Sequence, residues 1–161
     1  VSATVGSDSK AAIAQRLGAD HTIRYKHESV EQYVERLTTG EGFDAVFDTV
    51  GGANIAASIH AAKLNGQVAC IQGRGAVDGG PLHARAVSLH LVFMLIPLLH
   101  DLDRSRHGHI LERITQLVDA GKVQPLIDAR RFTLDGIGDA HAYAESGDQI
   151  GKVLVVHPDH A

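Results

Sequence analysis

Gly6, Ser7 and Lys10 are the first residues along the chain whose types and spacing suggest chemistry: a bare backbone, a hydroxyl and a cation within one turn of chain. They follow directly on an apolar run, residues 1–5, that reads as a β-strand. Open parallel sheets bind ligands beyond the C-terminal ends of their strands. Where the ligand is a dinucleotide, the second strand usually ends in an acid that accepts from the ribose 2′-hydroxyl. Val5 and Gly6 occupy that region without a carboxylate. A hydroxyl and an ammonium there suit a 2′-phosphate, which favours NADP over NAD. The same residues also fit an ordinary helix start with Ser7 as its N-cap.

Two further strand ends carry candidate residues. Asp44-Ala45-Val46-Phe47-Asp48-Thr49-Val50 stops at Gly51-Gly52, and a glycine pair lets a ligand come close to the backbone. Asp48 fits either a catalytic carboxylate or a cap on the following turn, and capping is the commoner use. Val68-Ala69-Cys70-Ile71-Gln72-Gly73 again delivers small residues and exposed backbone to a sheet edge. Cys70 lies inside that apolar strand and reads as a core residue rather than a nucleophile. Among eleven histidines, His107 and His109 have the only metal-like spacing; no cysteine or carboxylate cluster accompanies them, and their surroundings read as a polar loop, so no metal site is expected. The chain holds no Gly-x-Ser-x-Gly, no His-Glu-x-x-His and no phosphate loop of the Gly-x-x-x-x-Gly-Lys type.

The elements that position these residues alternate. Strands are expected over 1–5, 21–25, 43–50 and 67–72, with helices over 9–17, 29–37 and 55–64 between them. Ser29 is a plausible N-cap. The strand over 43–50 is nearly all apolar, as for a strand covered on both faces. A glycine-rich loop over 73–82 leads to a β-rich run over 89–96, ended by Pro97 as at a sheet edge. An amphipathic helix over 110–120, capped by Gly121, is followed by a strand over 127–132, a short helix over 138–146 and a strand over 152–156. Strand–helix alternation implies βαβ units and a parallel sheet, an α/β class of Rossmann type.

Bulk properties narrow the partners. The chain has 161 residues, 44% hydrophobic and 21% charged, with a net charge of −4, enough apolar matter for a core and no basic face. Nucleic acid and membrane surfaces are therefore not expected partners. The apolar run over 89–99 is broken by His90 and Pro97 and is too short to span a bilayer. A single cysteine excludes an internal disulfide and fits a reducing cytoplasm. The chain opens in what reads as mid-strand, so a piece of something longer is expected.

Several segments together resemble the medium-chain dehydrogenase/reductase superfamily, in its quinone oxidoreductase-like branch, which includes zeta-crystallin and zinc-type alcohol dehydrogenase-like reductases. They are Thr4-Val5-Gly6-Ser7 with Lys10, Leu17-Gly18-Ala19-Asp20 with Ile23 and Tyr25, Gly42-Phe43-Asp44 through Asp48-Thr49-Val50-Gly51-Gly52, the strand between Gly66 and Gly73, Leu117-Val118-Asp119-Ala120-Gly121-Lys122, and Gly151-Lys152-Val153. The resemblance covers nearly the whole chain. It implies an enzyme moving hydride between NADPH and a quinone, enone or other carbonyl, working as a homodimer. It places 2′-phosphate contacts at Gly6, Ser7, Lys10 and Tyr25, and the adenosine side at Val50 and Gly51. Ile71, Gln72 and Gly73, with Phe93 and Leu95 in the run 93–95, would approach the nicotinamide ribose; that run would also be the dimer-edge strand. Residues 1–123 would be a partial dinucleotide-binding domain and 124–161 a return segment towards a catalytic domain.

The sequence departs from the family pattern in what it does not contain: the glycine-rich phosphate loop, the strand before it, and the catalytic domain with its catalytic residues and any zinc ligands. The first of these strands would lie between 1–5 and 43–50, so a gap in the sheet is expected there, and the polypeptide alone should be inactive. Three other readings stay open: a zinc-dependent alcohol dehydrogenase, a non-catalytic nucleotide-binding module, and an adenosyl-methionine methyltransferase of related fold. Ser7 and Lys10 count against the last, whose cofactor has no phosphate. A Gly-x-Gly-x-x-Gly loop roughly 20 residues upstream would single out the reductase.

Overall fold

The computed structural model describes residues 1–157. The chain forms two compact units, Val1–Leu102 and Asp103–Ala161. The first contains β1 (Ser2–Val5), α1 (Asp8–Arg16), β2 (His21–Arg24), α2 (Val30–Thr38), β3 (Phe43–Asp48), α3 (Asn54–Ala61), β4 (Ala62–Cys70), α4 (Gly79–Arg85), β5 (Ser88–Leu91) and α5 (Ile96–Leu99). The second contains α6 (Ser105–Asp119), β6 (Ile127–Phe132), α7 (Ile137–Ser146) and β7 (Lys152–Val155). All strand pairs are parallel: β1 with β2, β4 between β3 and β5, and β6 with β7. This is the α/β, Rossmann-type architecture that the alternation implied. The expected gap is present: β1 and β3 belong to separate sheets, and neither has a second strand beside it among the described residues.

Local chemistry sets the helix ends. Ser7 is extended at φ −155° and its Oγ accepts from the Lys10 N–H at 3.3 Å, closing the first turn of α1. At α2, Ser29 Oγ accepts from the Gln32 N–H at 3.3 Å, and Gln32 Oε1 accepts from the Ser29 N–H at 2.7 Å, a complete capping box. The apolar face of α2 puts Tyr33 and Val34 against Ile23 of β2 and Ala61 of α3, with Phe43 beside them. A second core joins Ile55 and Ile59 of α3 to Val68 and Cys70 of β4 and to Val87. Burying each of these large aliphatic side chains contributes about 1.5–3 kcal/mol.

Five local expectations are corrected. The glycine-rich stretch 73–82 is not all loop, because α4 begins at Gly79. Asp78 Oδ1 caps it by accepting from the Gly80 N–H at 2.9 Å, and Pro81 sits in the first turn, where its missing N–H costs nothing. The helix expected to reach 64 stops at Ala61, since Ala62 turns extended (φ −71°, ψ 145°) and opens β4. The apolar run 89–96 is a strand only as far as Leu91. Pro97 does not end a strand; it lies at the start of the four-residue α5, for which its fixed φ is suited. His107 and His109 are not in a loop but on α6, which starts at Ser105. Finally, β3 is not covered on both faces: Phe47 is 68% exposed and only Asp48 is buried.

Candidate functional site

Parallel pairing brings the ends of β1 and β2 out side by side, with Val5 in register with Arg24. Gly6 and Tyr25, the next residues on each strand, therefore meet. A Cβ on Gly6 would lie 3.1 Å from the Tyr25 hydroxyl, so a side chain there would push the phenol away. Ser7 follows, then the first turn of α1 with Lys10. Ser7 Oγ also lies 3.0 Å from Ser9 Oγ, either hydroxyl donating. Four of the residues proposed for a 2′-phosphate thus form one cluster. Tyr25 is 56% exposed and open to a ligand.

The ends of β3 and β4 form a second cluster. Asp48 is in register with Cys70, and the Ile71 N–H donates to the Asp48 carbonyl at 3.2 Å. Gly51 then packs against the backbone after β4: a Cβ on it would fall 1.9 Å from the Gln72 carbonyl oxygen. At φ +70° it also holds a conformation that favours glycine. Gly73 lies against the Leu91 side chain, with its absent Cβ 3.1 Å from Leu91 Cδ1. Val50, Gly51, Ile71, Gln72 and Gly73 are thereby gathered at one edge. Phe93 and Leu95 lie in the turn into α5: the Phe93 carbonyl accepts from the Ile96 N–H at 3.2 Å, and Leu95 is the N-cap of that helix. Tyr25 and Val50 also share the lining of a cavity of about 730 Å³ with Thr4, Tyr33, Val46 and Asp48.

Asp48 is a capping residue. It is 3% exposed; its Oδ1 accepts from the N–H groups of Val50 and Gly51, both at 2.8 Å, and its Oδ2 accepts from the Ser58 hydroxyl at 3.0 Å. Burial acts to raise its pKa, but the amides of Gly51 and Val50 and the side chains of Asn54 and Ser58 outweigh it and hold the carboxyl below its ordinary range. A carboxylate so fully donated to is held ionised to fix the turn at Val50 and Gly51. Cys70 is fully buried, its Sγ 3.4 Å from the Gln72 carbonyl, as a core thiol.

In the second unit Asp128 plays the same part as Asp48. It accepts from the N–H groups of Arg130 and Ile150, both at 2.8 Å, and from the Tyr143 hydroxyl at 3.1 Å. The amides of Ile150 and Arg130, against the effect of burial, hold its pKa down. The Arg130 guanidinium lies 4.1 Å above the Tyr143 ring, a cation–π contact within the same network. Among the described residues no three His, Cys, Asp or Glu side chains converge as metal ligands.

The first cluster offers a hydroxyl (Ser7) and a phenol (Tyr25) at paired strand ends, with a glycine at the closest approach and Lys10 in the first turn of the helix that follows. Sequence reasoning missed one pair at this place: Arg24, the last residue of β2, makes an ion pair with Asp8 in the first turn of α1. No local pattern signals this pair, because it joins separate elements whose nearness depends on how β1 pairs with β2.

A family model described as zinc-binding dehydrogenase matches residues 17–155. The chain belongs to that family. It lies within the medium-chain dehydrogenase/reductase superfamily. Among solved structures similar to this chain is an alcohol dehydrogenase superfamily protein from Novosphingobium aromaticivorans. It has 32% identity and a TM-score of 0.86, over 95% of this chain and 47% of the other. A 2-methylene-furan-3-one reductase from Solanum lycopersicum is 29% identical over 97% of this chain and 33% of its own length. An NADPH-dependent alkenal/one oxidoreductase from Arabidopsis thaliana is 25% identical over 95% of this chain and 33% of its own. The chain thus spans a third to a half of the length of these proteins. No helix among the described residues is long and apolar enough to cross a membrane.

Proposed function

We propose that this chain is the cofactor-binding part of an NADP-dependent oxidoreductase that reduces a quinone, an enone or another carbonyl compound. Residues 1–123 form its partial dinucleotide-binding domain and 124–161 the segment returning to a catalytic domain. One observation carries the reading: Gly6, Ser7, Lys10 and Tyr25 stand together at the paired ends of β1 and β2, where β1 itself ends without an acid. Ser7 and Tyr25 would donate to the 2′-phosphate and Lys10 would neutralise it. Val50 and Gly51, fixed by Asp48, would line the adenosine side, and Ile71, Gln72 and Gly73, with Phe93 and Leu95, would approach the nicotinamide ribose. When bound, the cofactor supplies the hydride. The names of the tomato and Arabidopsis relatives favour an alkene conjugated to a carbonyl as the acceptor.

The exposed run Leu91, Val92, Phe93, Met94, Leu95 and Ile96, starting at the last residue of the edge strand β5, supports a homodimer assembled through this face. The buried lone thiol suits the cytoplasm. The cofactor assignment is tested by titrating NADPH and NADH into the complete protein and its Lys10→Ala variant. NADPH binding should weaken by about 1–3 kcal/mol for a lost charge-assisted contact, and NADH binding should change little. Equal losses for both cofactors would refute it.

A further inference from the structure

The ion pair between Arg24 and Asp8 has no part in the binding scheme above, yet it sits in the same place. Arg24 closes β2 in register with Val5; Asp8 follows Ser7 and opens α1. The Arg24 side chain is 33% exposed and that of Asp8 89% exposed, so the cation is largely covered while its anion stands in water. A pair with one member so exposed adds little to stability, because water and salt screen it. It is an exchangeable contact. A guanidinium presents five donors in a planar fork that matches a phosphate as well as a carboxylate, and one carboxylate does not use them all. A phosphate held by Ser7 and Tyr25 would therefore arrive beside both members of the pair. It would compete with Asp8 for Arg24, and the Asp8 carboxylate would repel it.

We propose that Arg24 is a second cation for the 2′-phosphate and that Asp8 is its built-in competitor, so that this pair opens when the phosphorylated cofactor binds. The proposal rests on the NADP reading and deepens it. Asp8 therefore lowers both the affinity for the phosphorylated cofactor and its preference over the unphosphorylated one. A cofactor without the phosphate leaves the pair closed and gains nothing from Arg24. A cofactor with it gains Arg24 but must displace Asp8. The two residues are thus specificity determinants with opposite signs.

The test is calorimetric titration of the complete protein with NADPH, with NADH, and with adenosine 2′,5′-bisphosphate, which carries the 2′-phosphate without nicotinamide. Arg24→Gln should weaken NADPH and the bisphosphate roughly tenfold, as for one charge-assisted contact, with NADH changed less than about twofold. Arg24→Lys should recover part of that loss, which a merely structural role would not predict. Asp8→Asn should strengthen both phosphorylated ligands severalfold, and that gain should shrink when Arg24→Gln is already present, the sign of coupled residues. Equal effects on NADPH and NADH, or a full Asp8→Asn gain without Arg24, would overturn the exchange while leaving the NADP reading in place. A wild-type protein that binds NADPH no tighter than NADH, and does not bind the bisphosphate, would instead overturn the NADP reading and this proposal with it.

Discussion

Asp48 offers the sharpest test of how the site is held. Replacing it with alanine removes the acceptor for four donors: the amides of Val50 and Gly51 and the side chains of Ser58 and Asn54. They do not suffer equally. Val50 is exposed and its amide can turn to water, whereas Gly51 and Ser58 are buried. A buried amide left without an acceptor costs about 1–3 kcal/mol and a buried hydroxyl about 1 kcal/mol, so Asp48→Ala should destabilise by about 2–4 kcal/mol. Asp48→Asn keeps one oxygen for Gly51 and should cost nearer 1 kcal/mol. Acid adds a second signature. The folded carboxyl has a pKa below its ordinary value of about 4, so its contribution is fully present above that value and is lost as pH falls through the lower, folded one. The gap between wild type and Asp48→Asn should therefore be constant at neutral pH and close below about pH 4. Urea denaturation followed by circular dichroism, repeated across pH, measures both effects. An alanine variant within about 0.5 kcal/mol of wild type, the usual range for a surface substitution, would refute the capping role. A gap that survives strong acid would refute the ionised state.

Three further substitutions have defined outcomes. Gly51→Ala should abolish soluble expression or cost more than about 3 kcal/mol, because its Cβ would overlap the Gln72 carbonyl; Gly52→Ala, at φ +57° with nothing within 4 Å, should cost only the left-handed penalty of about 1–2 kcal/mol. Equal stabilities in thermal melts would contradict this. Cys70→Ala should lose about 1 kcal/mol and keep turnover in the complete protein, and the native thiol should resist alkylation until the protein is unfolded. Loss of turnover with the fold intact would make the thiol functional. Leu95→Lys should convert the proposed dimer to monomers or aggregates in size-exclusion chromatography with light scattering, and a wild-type monomer at high micromolar concentration would rule the dimer out.

What the sequence made legible was whatever a local rule decides. Ser29, with Gln32 three residues on and a stripe of Val30, Tyr33, Val34 and Leu37, specifies α2 from within its own nine residues and cap. Asp48 before Thr49-Val50-Gly51 is likewise a local capping pattern, and its side chain takes the capping one of the two uses that its position allows. The misreadings come where composition and position disagree. Gly79, Gly80 and Pro81 look like loop by composition, but within the first turn of a helix their faults are harmless, so α4 stayed hidden. Residues 89–96 are apolar apart from His90, and apolarity alone does not say where a strand stops; the turn at Phe93 and the short α5 are set by chain geometry beyond Leu91. Phe47 read as doubly covered because the sequence shows a strand's composition but not its neighbours. Arg24 and Asp8 were missed for a different reason: they lie on separate elements, and only the register of β1 with β2 brings them together.

The sheets also imply an order of assembly. Each takes its strands from one continuous stretch of chain: β1 and β2 within residues 2–24, β3 to β5 within 43–91, β6 and β7 within 127–155. Parallel pairing is usually slow to form because distant segments must first find one another, and the entropic penalty of closing a loop grows with its length. Here every parallel ladder is closed by a crossover of sequence-adjacent residues. A chain emerging from the ribosome could complete each ladder as soon as its last strand appears, without waiting for the rest. Pulse-labelled amide exchange during refolding should then show three separable groups of protected amides, each confined to one of these stretches.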